Sequence, residues 1–104
     1  MELSKDVYLL TQKLSTEHRF GISSQLYRAA VSIPSNIAEG SSRKSEKDFS
    51  HFLSMSLGSA FELETQLIIA EQCGLAINVD YQSLLAKVQA LQKQIASFAY
   101  TISQ

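Results

Sequence analysis

Between Tyr81 and Ile102 the apolar side chains return in steps of three and four: Tyr81, Leu84, Val88, Leu91, Ile95, Phe98 and Ile102. An unbroken seven-residue period of this length is the seam of a helix packed along other helices. The remainder of the chain supplies the partners. Leu3, Val7, Leu10 and Leu14 recur at helical spacing from Glu2 to about Ser15, with Glu2 and Asp6 in the first turns, where the helix dipole favours negative charge. Ile22, Leu26, Ala29, Ala30, Ile33 and Ile37 define one face of a second helix. Phe49, Phe52, Leu53, Ser56, Ala60, Leu63, Leu67 and Ala70 define one face of a third.

The punctuation agrees with that division. Thr16 to Gly21 reads as a connector, with Ser23 or Ser24 as caps for the second helix. Ser41-Ser42-Arg43-Lys44 reads as a linker, and Ser45 followed by Asp48 resembles a capping box. Gly74 is placed to stop the third helix, Leu75 to Val79 is a connector, and Asp80 is a cap for the fourth. Only four glycines and one proline occur in 104 residues, too few for a turn-rich β-sandwich. The expected fold is all-α, an antiparallel up-down-up-down four-helix bundle formed by residues 1–104 as a single domain. Its one irregularity is Pro34, which removes a backbone donor and disfavours the α conformation at Ile33. The second helix is therefore expected to kink or break near Val31–Ile33, to resume with Pro34 in its first turn, and to end at Gly40.

The third helix carries more apolar surface than one core face requires. Leu57, Phe61 and Ile68 lie beside the core stripe, Met55 and Ile69 further round, and Gly58 would admit the backbone of another helix. A helix apolar on several sides is normally covered on several sides, so a second copy of the chain is the expected cover. Polar residues also line up. Arg28, Ser32, Ser35 and Glu39 follow steps of four, three and four, with Asn36 beside them. Arg28 is expected to pair with Glu62 or Glu64, within the chain or across a subunit boundary, as an interface contact that fixes assembly geometry.

Nine basic and ten acidic side chains give a net charge of −1, so no overall basic field exists to hold nucleic acid. The densest basic cluster is Arg43, Lys44 and Lys47, with Glu46 and Asp48 interleaved. It reads either as a phosphate-contacting patch or as a solvated linker. The single cysteine, Cys73, rules out an intramolecular disulfide and fits a reducing cytoplasm. No signal-peptide pattern and no apolar run approaching roughly 20 residues occurs, so a membrane partner is not expected.

Constellations for catalysis are sparse. His51 and Cys73 stand 22 positions apart on one helix, about 33 Å. His18 and Cys73 fall at the same end of the bundle without an orienting group. Asp48-x-x-His51 occurs once, whereas a di-iron bundle uses two Glu-x-x-His pairs and two more carboxylates. Phosphate-loop and dinucleotide glycine patterns do not occur. No catalytic residue, metal or cofactor is expected, and the chain reads as non-enzymatic.

Ala30-Val31-Ser32-Ile33-Pro34-Ser35-Asn36-Ile37-Ala38-Glu39-Gly40 resembles the family of four helix bundle proteins, or 23S rRNA intervening-sequence proteins. Gln25-Leu26-Tyr27-Arg28 is similar to the family's approach to that motif. Ser45-x-Lys47-x-Phe49-x-x-Phe52-Leu53 is similar to the start of its third helix, and Gly58-Ser59-Ala60-Phe61-Glu62-Leu63-Glu64-Thr65-Gln66-Leu67 to a block further along it. The resemblance spans about Gly21 to Gly74. It implies a small bacterial bundle that assembles as a ring-shaped homopentamer. It also links the chain to accessory proteins of diversity-generating retroelements, pentamers that bind nucleic acid and a reverse transcriptase. The expected function is a homo-oligomeric scaffold or adaptor acting on RNA or DNA. The alternative is a structural protein–protein interaction module without nucleic acid.

Overall fold

A computed structural model describes residues 2–14, 19–75 and 79–103. It contains four α-helices: α1 (Glu2–Lys13), α2 (Ser24–Ser41), α3 (Glu46–Gln72) and α4 (Tyr81–Ser103). No strand occurs among the described residues. Each consecutive pair of helices meets in opposite chain directions. Tyr8 lies against Tyr27 and Ser4 against Ala30; Gln66 reaches Gln25 while Ser56 reaches Ile33; Gln82 contacts Glu71 while Phe98 contacts Phe49. At 1.5 Å per residue the 27 residues of α3 span about 40 Å. That length sets the long dimension of a body measuring 44 × 22 × 19 Å.

The core follows the periodic stripes. Leu3, Val7, Leu10 and Leu14 of the first segment are buried, as are Leu26, Ala29, Ala30 and Ile33 of α2. Leu53, Ser56, Ala60, Leu63, Leu67 and Ala70 of α3 are buried, with Phe49 and Phe52 only partly covered. In α4, Tyr81, Leu84, Val88 and Ile95 are buried, and Leu91 and Ile102 pack at the margin. Phe98 departs from the expected seam. It is 47% exposed, with its ring edge-on to Phe49 at a centroid distance of 5.5 Å. Leu85 and Gln92 are buried in addition, because α4 faces α3 over a stripe broader than the heptad positions alone.

Local chemistry ends the helices. Asp48 N–H donates to Ser45 Oγ at 3.0 Å, and Ser83 N–H to Asp80 Oδ1 at 3.0 Å. After α3, Gly74 adopts φ +63°, the left-handed conformation that favours glycine. Leu75 N–H then donates to Ala70 O at 3.1 Å and Gly74 N–H to Glu71 O at 3.0 Å, the paired bonds of a Schellman stop. The entry to α2 differs from expectation. A π-helical turn, Arg19–Ser23, leads directly into it, and Ser23 is helical without a side-chain cap bond. Positions 16–18 of the Thr16–Gly21 connector, and positions 76–78 of the next, lie outside the described residues.

Of the kink or break expected near Val31–Ile33, the break does not occur: α2 is continuous from Ser24 to Ser41 with Pro34 inside it. Without an N–H on Pro34, the carbonyl of Ala30 loses its helical donor. Ser4 Oγ of α1 donates to that carbonyl at 3.3 Å, so a neighbouring helix replaces the missing bond. We expect Ser4→Ala to cost about 0.5–1.5 kcal/mol in urea unfolding. In a Pro34→Ala background, where residue 34 regains its N–H, the same change should cost much less. Strictly additive losses across this double-mutant cycle would show that the serine does not serve the orphaned carbonyl.

Gly40 was expected to end the second helix. Instead α2 continues to Ser41 with Ser42 as its cap, and Gly40 is buried within the helix. A Cβ there would stand 2.7 Å from Phe52 Cβ and 2.9 Å from Phe49 Cδ1. Its role is close approach between the end of α2 and the start of α3.

Candidate functional site

Small polar residues let α2 and α3 approach closely, and a cleft of about 410 Å³ opens along their junction. Gln25, Arg28, Ala29 and Ser32 of α2 line it, with Ser59 and Glu62 of α3. Ser32 Oγ and Ser59 Oγ are hydrogen-bonded at 2.9 Å, and Asn36 Nδ2 donates to Ser32 O at 2.8 Å and to Ser32 Oγ at 3.0 Å. Ser56 Oγ, fully buried, donates to Ile33 O at 2.8 Å. Gln66 Nε2 donates to Glu62 Oε1 at 3.1 Å, and Gln66 Oε1 is buried without a partner among the described residues.

The expected pairing of Arg28 with Glu62 or Glu64 is not formed within the chain. Arg28 and Glu62 line the same cleft, yet among the described residues Arg28 makes no ion pair. Glu64 sits on the other flank of α3, where it accepts from Gln89 Nε2 at 2.9 Å and Gln92 Nε2 at 3.1 Å. The row at Arg28, Ser32, Ser35 and Glu39 therefore divides. Its first two members enter the cleft, Ser35 is exposed, and Glu39 turns to the following loop.

At that loop the basic cluster is also divided. Arg43 forms an ion pair with Glu39 and lies over the Phe52 ring, 5.0 Å from its centroid. Its charge is thereby partly spent inside the chain. Lys44 and Lys47 are exposed and enter no ion pair among the described residues.

On α3 the surplus apolar residues separate by depth. Leu57 is half-buried and packs on the core margin, so it serves the bundle as well as the surface. Phe61 is 51% exposed and Ile68 38%, with Met55 and Ile69 exposed further round. Among the described residues nothing lies within 4 Å of a Cβ placed on Gly58, and none of the four helices uses the space it leaves.

The sequence profile of the 23S rRNA-intervening sequence protein family matches residues 1–97. The chain belongs to this family. No match was found among curated proteins. The matched range takes in α1, α2, α3 and most of α4, so the α2–α3 cleft, the basic loop and the outer face of α3 all lie within the part that this family member shares.

In this family member no group of three or more His, Cys, Asp or Glu is placed to hold a metal among the described residues, and none of its helices is long and apolar enough to cross a membrane. Cys73 is exposed, while His18 lies outside the described residues. Lys87 binds Asp6 Oδ2 at 2.6 Å and Glu2 Oε1 at 3.2 Å, fastening α1 to α4. Those hydrogen bonds, to Asp6 first and then Glu2, hold the Lys87 pKa above its ordinary value. Burial, and secondarily the charge of Glu71, raises the pKa of Tyr81. Both groups hold their protons more tightly when folded. Their contribution is therefore intact below the unfolded values of about 10 and is lost as the pH rises through the folded ones. Urea midpoints should be insensitive to these two groups near neutrality and should fall above roughly pH 10. Tyr81→Phe should flatten the alkaline fall, and an unchanged profile would remove Tyr81 from the account.

Sequence reasoning missed the contact between Ser4 and Ala30, the partners of Glu64 on α4, and the pairing of Tyr8 with Tyr27. The last two join residues on different helices whose alignment no local pattern encodes. Pro34 was the available signal for the first, since it announces an unpaired carbonyl four residues earlier.

Proposed function

We propose that this family member is a non-enzymatic, homo-oligomeric helical scaffold, assembled as a ring of five copies as its family resemblance implies, and that the assembly associates with nucleic acid. The observation that carries the assembly is the outer face of α3. Phe61 and Ile68 stay exposed beside Gly58 although the core beneath them is complete. Apolar surface of this kind on a helix with one face already packed is best satisfied by another subunit. Arg28 and Glu62 in the α2–α3 cleft, neither in an ion pair among the described residues, support the same reading, because a second copy can answer both charges. Lys44 and Lys47 support the nucleic-acid part, since a ring repeats them and multiplies weak phosphate contacts by avidity.

Light scattering over micromolar concentrations tests the assembly. The expected mass is five times the 11.5 kDa of one chain. A mass of one chain throughout would overturn the reading.

A further inference from the structure

We propose that the cleft between α1 and α2 walled by Tyr8 and Tyr27 is a slot for an unpaired base of a single-stranded nucleic acid. This extends the nucleic-acid part of the preceding reading and does not depend on the number of subunits. The two rings meet edge to face, with centroids 5.8 Å apart and planes at 64°. Each nevertheless remains nearly half exposed, at 48% and 44%. One edge contact fixes the rings and leaves aromatic surface facing a cleft of about 270 Å³. The other walls are Thr11, Gln12, Ser23 and Ser24.

That combination selects a planar, polar-edged ligand. Aromatic side chains stack on any base, while Gln12, Ser23 and Ser24 offer both donors and acceptors to a base edge; the Thr11 hydroxyl already donates to Tyr8 O at 2.6 Å. A slot for an aliphatic chain would not be walled by four polar residues. The rims are chemically consistent with this. By helical spacing Lys5 and Gln12 flank Tyr8 on α1, three residues before it and four after, and both are exposed.

The charges here admit a polyanion. The carboxylates of α1 and α2 lie beside cations, Glu2 and Asp6 sharing Lys87 and Glu39 paired with Arg43. Lys5 enters no ion pair among the described residues and stays open to a phosphate. The basic loop is a separate surface, since Tyr27 and Arg43 are 16 positions apart and about 24 Å along the α2 direction.

Fluorescence anisotropy of labelled oligouridylate with the full chain at low salt tests the slot, using oligothymidylate, a sequence-matched duplex and free uridine monophosphate as the other arms. Single strands should bind, with the duplex weaker by about tenfold or more, because only an unpaired base can enter. Tyr8→Ala and Tyr27→Ala should each weaken single-strand binding by about tenfold, and Tyr27→Phe, which keeps the ring, by no more than about twofold. Competition by the free nucleotide but not by inorganic phosphate would mark the base as the recognised element, competition by both alike would overturn the slot, and binding of either RNA or DNA supports it. Equal affinity for duplex and single strand would overturn it while leaving the phosphate-contacting loop intact. Wild-type affinity in both alanine variants, with helical circular dichroism retained, would also overturn it. So would a fall in scattering mass in those variants without a loss of affinity, which would assign the tyrosines to a subunit contact.

Discussion

Gly40→Ala should destabilise the fold by about 1–3 kcal/mol, the range for forcing extra methyl groups into a packed junction. The sign is the informative part. In an exposed helical position the same change normally stabilises, by roughly 0.5–1 kcal/mol, through backbone entropy. At position 40 the new Cβ would meet Phe52 Cβ at 2.7 Å. That atom is fixed to the backbone of α3 and cannot rotate away. Phe49 is the second obstacle, at 2.9 Å, and its own ring is held edge-on by Phe98. The strain can be relieved only by moving the end of α2 away from the start of α3, which also shifts the loop bearing Arg43 and Lys44. Gly58→Ala is the matched control, since nothing among the described residues lies within 4 Å of its Cβ, and it should stabilise an isolated chain. Urea unfolding of both variants reads the contrast. Equal signs would show that the α2–α3 corner yields easily.

The second large effect concerns assembly. Phe61→Glu combined with Ile68→Glu should reduce the scattering mass toward the 11.5 kDa of one chain and leave helical circular dichroism nearly unchanged. Both side chains already face solvent over a large part of their surface, 51% and 38%. Substitutions at such positions usually alter folding by about 0.5 kcal/mol or less. At a subunit contact the same two carboxylates would be desolvated beside apolar groups, a cost of several kcal/mol for each ion. Gly58→Ala should weaken assembly too if another helix backbone approaches there, even as it stabilises the single chain. Opposite signs in two assays from one substitution cannot be explained by general unfolding. If the double variant keeps the wild-type mass, the outer face of α3 is not the contact.

How far the sequence discloses these features depends on their range. The burial of Leu3, Val7, Leu10 and Leu14, the caps at Ser45 and Asp80 and the stop at Gly74 are local, decided within one or two turns, and they are legible in the residue order. Pro34 is legible as a perturbation but not in its outcome, because Ser4 lies 26 positions from Ala30 and the repair requires α1 to dock. Arg28 and Glu62 fall at matching heights by simple counting, yet sharing a cleft does not make an ion pair, and Gln66 competes for Glu62. Arg43 shows the reverse. A basic run invites a nucleic-acid reading, while the guanidinium has a carboxylate and an aromatic ring within its own chain.

The hydroxyl contacts between α2 and α3 limit which alignments the chain can adopt. Apolar stripes of Leu, Ile and Ala are forgiving, and sliding α2 by one turn, about 5.4 Å, would still lay apolar side chains on apolar side chains. The polar contacts do not repeat in that way. A slipped pair would separate Ser32 from Ser59 and remove Ser56 from the Ile33 carbonyl, leaving a buried hydroxyl without its acceptor. Each such loss costs about 1–3 kcal/mol, against a total stability of about 5–15 kcal/mol for a folded domain. The serines thus act less as a source of stability than as a penalty on the neighbouring register, separating one bundle in energy from its near copies.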